Sequence, residues 1–179
     1  MSPELAPQSR ADAVAARASQ MMGEHACSTE QAMAWEGLLE VSRRLRRGAE
    51  EAMLGEFELS VSMLGVMGRL SLAPAWTLRQ TALADAMGLS LSRVSRVIDL
   101  LERRGLVERR DCPSDARATN VELSRPGAAL TARAQKQLER FVQGSFLDLL
   151  EGEEAQVLAT TFRRLISHWG DGGCVLQSS

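Results

Sequence analysis

The sequence predicts a mainly α-helical chain with one small β-hairpin. Three observations lead there. Apolar residues recur at spacings of three and four through most of the 179 residues, the period of a helix with one buried face. Two short helical segments in the middle of the chain are separated only by Gly88, Leu89 and Ser90. Directly after them, two short alternating segments flank a polar loop, the pattern of a hairpin.

Residues 1–27 read as an N-terminal extension, partly helical or disordered, rich in Ala, Arg, Ser and Pro, with Pro3 and Pro7 keeping its start irregular. Ser28 is placed to cap a helix, with Gln31 at the capping-box position. Trp35, Leu38, Leu39 and Leu45 then recur at helical spacing, and Arg43, Arg44, Arg46 and Arg47 crowd the far end, where cations suit the helix dipole. A second helix is expected over 60–70, with Leu64, Met67 and Leu70 near one face and Pro74 beyond its end. Residues 78–87, LRQTALADAM, form a short third helix that stops at Gly88. Ser90 caps a fourth over 91–104, which buries Val94, Val97, Ile98 and Leu101 and ends at Gly105. Residues 106–110 and 119–123 are expected as two strands joined by the loop DCPSDARA. Ser124, Pro126 and Gly127 open a long helix running to about residue 150, and Gly152 separates it from a last helix over 153–169. That last helix carries Val157, Leu158, Phe162, Leu165, Ile166 and Trp169 on a wide stripe. The outer helices cannot all bury their apolar faces on so small a centre, so a second copy of the chain is the natural partner.

Composition narrows the function. No apolar run approaches the roughly 20 residues of a membrane span. The first residues lack a basic patch followed by an apolar stretch, so the cytoplasm is the expected compartment. Cys27, Cys112 and Cys174 are odd in number and far apart, with no histidine spacing to complete a metal site. His25 and His168 stand alone. Neither a catalytic constellation nor a cofactor site can be assembled from these residues, and an enzyme is not expected. The net charge of −2 argues at first against nucleic acid. Counted by region, residues 76–117 hold 8 Arg against 6 acids, whereas 1–75 hold 7 against 10 and 118–179 hold 6 bases against 7. Only the middle segment is positive.

Helix, short turn, helix, hairpin is the order of a winged helix-turn-helix. Its second helix has the size to enter a DNA major groove about 12 Å wide, with its first turns reaching base edges. Ser90, Ser92, Arg93, Ser95 and Arg96 fall on those turns. Arg93 and Arg96 can each bond a guanine edge through both arms of the guanidinium or clamp a phosphate, and the serines permit close approach. The alternative is a solvated polar face. In the hairpin, Asp115 can steady Arg117, two residues on, for a narrow minor groove; a surface ion pair of little consequence is the alternative. Arg79, Arg103, Arg104, Arg109 and Arg110 are candidate phosphate contacts, and the last four could instead pair with Glu102, Glu108 and Asp111.

On these residues the run 78–127 resembles the MarR family of winged helix-turn-helix regulators. The resemblance rests on LADAMGLSLSRVSRVIDLLERRGLVERR, on the wing motif Asp115-Ala116-Arg117, and on the exit VELSRPG, where that family typically has a Leu-Thr-x-x-Gly turn. Ala116 departs from the Arg or Lys often found there. Order and spacing extend the likeness to about 28–170. The resemblance implies a homodimer with interlocking terminal helices: 28–75 and 124–170 supply dimerisation helices, 76–123 the winged helix-turn-helix, and 171–179 a flexible tail. It also implies binding of double-stranded palindromic DNA, and repression relieved by a small aromatic or anionic effector between the two regions, near Trp35, Met63 and Met67. Gly65 occupies the position where a urate-responsive branch would carry a buried Asp, which argues against urate. Two alternatives remain beside this: a thiol-based redox sensor using Cys27, in a chain without any Tyr, and a winged-helix module for protein partners, which would have no need of Arg93, Arg96 and Arg117 outward together.

Overall fold

The computed structural model describes residues 13–14, 28–112 and 115–169, with the side chains at 111–118 and 169 excepted. The expectations for the N-terminal extension, for Cys27 and for the tail fall outside the described residues. Six helices and three strands follow in order: α1 Thr29–Phe57, α2 Val61–Leu72, β1 Thr77–Arg79, α3 Gln80–Met87, α4 Leu91–Arg103, β2 Val107–Cys112, β3 Asp115–Leu123, α5 Arg125–Ser145 and α6 Glu154–Trp169. Short 3-10 turns occupy Pro74–Trp76 and Leu147–Leu149. The chain is mainly helical, as the sequence predicts. Among the described residues no helix is long and apolar enough to cross a membrane.

The capping box forms at the start of α1. Ser28 Oγ accepts from the Gln31 amide at 3.2 Å and Ser28 N donates to Gln31 Oε1 at 2.9 Å, satisfying two amides that the helix itself cannot. The helix runs ten residues beyond its arginine cluster, to Phe57. Its buried positions lie mostly in this later half, at Ala49, Met53 and Phe57, while Trp35, Leu38 and Leu39 are exposed. Three other boundaries also differ from expectation. Leu78 lies in β1, not in the third helix, and pairs with Val121 of β3. The sheet therefore has three antiparallel strands in the order β1-β3-β2. Both hairpin strands extend into the expected loop, and α5 ends at Ser145, short of residue 150.

The core lies where α1, α2, α3, α4, the base of the sheet and α5 converge. Met53, Leu59, Val66, Met67, Leu70, Leu83, Val94, Ile98, Leu101 and Val121 are fully buried there. Each such side chain contributes about 1.5–3 kcal/mol relative to exposure. Outside this core, α6 buries none of its described side chains: Val157 and Ile166 are 60% and 65% exposed. Together with Trp35, Leu39 and Val41 on α1 and Leu147 and Leu149 after α5, they are apolar side chains that the described residues leave exposed.

Candidate nucleic-acid interface

The site is built around the sharp turn between α3 and α4. Gly88 adopts a left-handed conformation, φ 60°, which costs a residue without Cβ nothing. Its amide and that of Leu89 donate to the carbonyls of Asp85 and Ala84, both at 3.1 Å, closing α3. Two residues later Ser90 Oγ accepts from the Arg93 amide and opens α4. So short a connection fixes the angle between the helices.

On α4, Val94, Ile98 and Leu101 are fully buried and pin the helix to the core. Ser92, Arg93 and Arg96 point the other way and are exposed. Ser90 is exposed as well, its hydroxyl 3.2 Å from that of Ser92. Arg93 and Arg96 make no side-chain hydrogen bond or ion pair with the described residues, so both guanidinium groups retain all five donors for an outside partner. Arg103, at the last turn of the same helix, is exposed and equally unengaged. Ser95 behaves differently. It is half-buried, and its carbonyl and hydroxyl accept from Arg109 Nη2 at 3.3 and 3.5 Å.

The remaining candidate cations divide sharply. Arg104 reaches back to the end of α1 and donates to the carbonyls of Glu58 and Phe57, at 2.5 and 3.0 Å. Arg109 joins β2 to α4 through Asp99 Oδ1 and Glu102 Oε2, each at 2.5 Å. Partial burial opposes its charge, but the hydrogen bonds it donates to Asp99 and then to Glu102 outweigh this and hold the guanidinium above its ordinary range. Arg110 bridges Glu108 at 2.6 Å and Glu122 at 3.1 Å. Those two acids face each other across β2 and β3, a repulsive pair that the intervening cation relieves; the hydrogen bond to Glu122, and then the charge of Glu108, raise its pKa. Arg79 ends β1 opposite Asn120. Asp99 was not among the residues that sequence reasoning singled out, although its spacing of three from Glu102 on one helix was a readable sign.

In the wing, β3 begins at Asp115, which pairs with Cys112 next to the turn, after an irregularity between Asp111 and Cys112. The backbone thus places 115–117 near the hairpin tip; the side chains of Asp115, Arg117 and Cys112 are outside the described set. Met63 and Met67 are core residues, and Trp35 lies 48% exposed on α1 outside that core. The two methionines pack within the cluster that holds α2 in place.

Comparison with known proteins agrees with this geometry. A family model described as MarR family matches residues 57–118, from the end of α1 through the wing. The structure is similar to AbsC, a MarR family transcriptional regulator from Streptomyces coelicolor, with 30% identity, a TM-score of 0.73, and coverage of 79% of this chain and 95% of AbsC. It is also similar to Sco3205, a MarR family transcriptional regulator of the same organism solved in complex with DNA, at 24% identity and TM-score 0.75 over 80% of this chain and 89% of that one. The S. aureus MepR-DNA complex gives 21% identity and TM-score 0.66, covering 73% and 94%. With the helix-turn-helix, the wing and nearly the whole length of AbsC matched, the chain belongs to the MarR family of transcriptional regulators.

Proposed function

We propose that this chain is a homodimeric regulator of transcription, not an enzyme, that acts in the cytoplasm and places α4 in the major groove of double-stranded DNA and the 115–117 wing in the adjacent minor groove. The observation that carries the reading is the exposed, unengaged pair Arg93 and Arg96 on the first two turns of a helix whose opposite face is locked into the core. Sco3205 and MepR, both of similar fold, are recorded in complex with DNA. The α1 and α6 apolar surfaces support a dimer formed by 28–75 and 124–170, around two copies of the 76–123 DNA-binding region. Repression, relieved by a small aromatic or anionic effector, completes the reading.

Selection of bound duplexes from a random pool tests it directly. Two related half-sites about one helical turn apart are expected, with affinity that falls steeply as salt rises. Absence of any enriched sequence, or binding indifferent to salt, would refute it. Sedimentation in dilute solution tests the assembly, where a monomer mass counts against the dimer.

A further inference from the structure

We infer that Arg109 is a positioning residue for DNA recognition, a strut that fixes the wing against the recognition helix without touching DNA. The inference rests on the DNA-binding reading above and adds a residue which that reading does not use. Strand β2 is an edge strand, since the order is β1-β3-β2, so one of its sides lacks a strand partner. Helix α4 supplies the substitute. The Arg109 amide donates to Glu102 Oε1 at 3.1 Å, while its guanidinium returns to Glu102 Oε2 and Asp99 Oδ1 and reaches the Ser95 carbonyl at 3.3 Å. Ser95, Asp99 and Glu102 are spaced by four and three, one continuous stripe along the helix. This stripe runs between the buried positions Val94, Ile98 and Leu101 and the outward Arg93 and Arg96. One planar side chain therefore grips the recognition helix at three successive turns, starting at Ser95, the residue next to Arg96.

Simultaneous reading of two grooves requires a fixed distance and angle between α4 and the hairpin tip. The base of the hairpin is held by buried Val107, Val121 and Leu123 and by β1, but an outer part left free would have to be ordered on binding, at a cost in affinity. The strut removes that freedom beforehand. Lysine cannot replace it, because a single ammonium on a flexible stem does not span Asp99, Glu102 and the Ser95 carbonyl together.

The test uses the sign of charge. For any residue acting on DNA only through its field, Arg109→Gln should weaken binding and Asp99→Asn, which removes a negative charge, should strengthen it. A strut predicts that both weaken binding to a selected palindromic duplex, on the order of tenfold, with a smaller effect on a scrambled duplex, and that Arg109→Lys behaves like Arg109→Gln. The ratio between the two duplexes is the readout, since a mere loss of folded protein scales both alike. Tighter or unchanged binding by Asp99→Asn, or full affinity in Arg109→Lys, would overturn the inference. Glu102→Gln, which leaves the Asp99 arm intact, serves if Arg109→Gln does not fold. Amide hydrogen exchange of residues 107–112 in the free protein gives a measurement independent of DNA: faster exchange in the variants supports the strut, and unchanged exchange sinks it. If the wild-type protein enriches no duplex, the DNA-binding reading fails while the exchange experiment still judges the strut.

Discussion

Arg104 offers a clear separation of structural from DNA-contacting arginines. The last turn of α1 contains no basic residue, and the helix ends at Glu58 in a left-handed conformation, φ 53°. Its terminal carbonyls therefore depend on a cation brought from 46 residues away, whose Nη1 and Nη2 lie 2.5 and 3.0 Å from the carbonyl oxygens of Glu58 and Phe57. Arg104→Met keeps the apolar stem and removes both bonds. A hydrogen bond to a charged group contributes about 1.5–3 kcal/mol where water is excluded, and a cation at a helix C-terminus about 0.3–1 kcal/mol. One of the two bonds is exposed, so water recovers much of its value, and the expected loss is about 1–3 kcal/mol in all. Urea unfolding at one fixed protein concentration measures it, because a dimer's stability depends on concentration. The salt dependence of DNA binding should stay as in the wild type. An unchanged unfolding midpoint, combined with weaker and less salt-dependent binding, would assign Arg104 to a phosphate and refute this argument.

Arg96→Ala should lower affinity for the selected duplex by about 1–3 kcal/mol and barely alter binding to unrelated DNA, since only the specific complex contains a contact to a base edge; fluorescence anisotropy against both duplexes decides. Arg117→Ala should weaken binding to all DNA, most at A·T-rich steps, and flatten the salt slope. Asp115→Ala, which leaves the cation in place, should lose less, and an Arg117→Ala protein of unchanged affinity would remove the wing from the mechanism. Gly127→Ala should cost about 1–3 kcal/mol in unfolding free energy, because a Cβ there would overlap the Leu106 carbonyl oxygen and come within 2.9 Å of Leu123 Cδ1. Wild-type stability in that variant would show that α5 slides freely past the base of the wing.

Elements held by local chemistry were readable from the sequence. The Ser90 cap, the Gly105 stop and the spacing of Val94, Ile98 and Leu101 define α4 without reference to the rest of the chain, and the Ser28–Gln31 capping box does the same for the start of α1. Elements defined by distant partners were not. Thr77, Leu78 and Arg79 form a strand only because Glu122, Val121 and Asn120 lie opposite; in isolation, the same residues suit the first turn of a helix. The later half of α1 was missed for a related reason. Gly48 and Gly55 weaken the local helical signal, yet the chain stays helical through both because Met53 and Phe57 are buried in the core. At Gly48 the Phe141 ring of α5 sits where a Cβ would approach within 2.7 Å, so the glycine serves helix packing and does not end the helix.

The arginines show most plainly where one-dimensional reasoning stops. Eight of them fall within 76–117, and nothing in their immediate sequence separates Arg103 from Arg104. Geometry does. Arg109 and Arg110 engage Asp99, Glu102, Glu108 and Glu122 on the flank of α4 and across the hairpin, while Arg104 is spent on backbone carbonyls at the end of α1. Asp99, Glu102, Glu108 and Glu122 are thus matched by cations, while among the described residues Arg93, Arg96 and Arg103 of α4 have no ion-pair partner. A chain with a net charge of −2 can in this way present a locally positive helix to a polyanion, because attraction at a distance comparable to the Debye length, about 8 Å in physiological salt, is governed by nearby charges and not by the total.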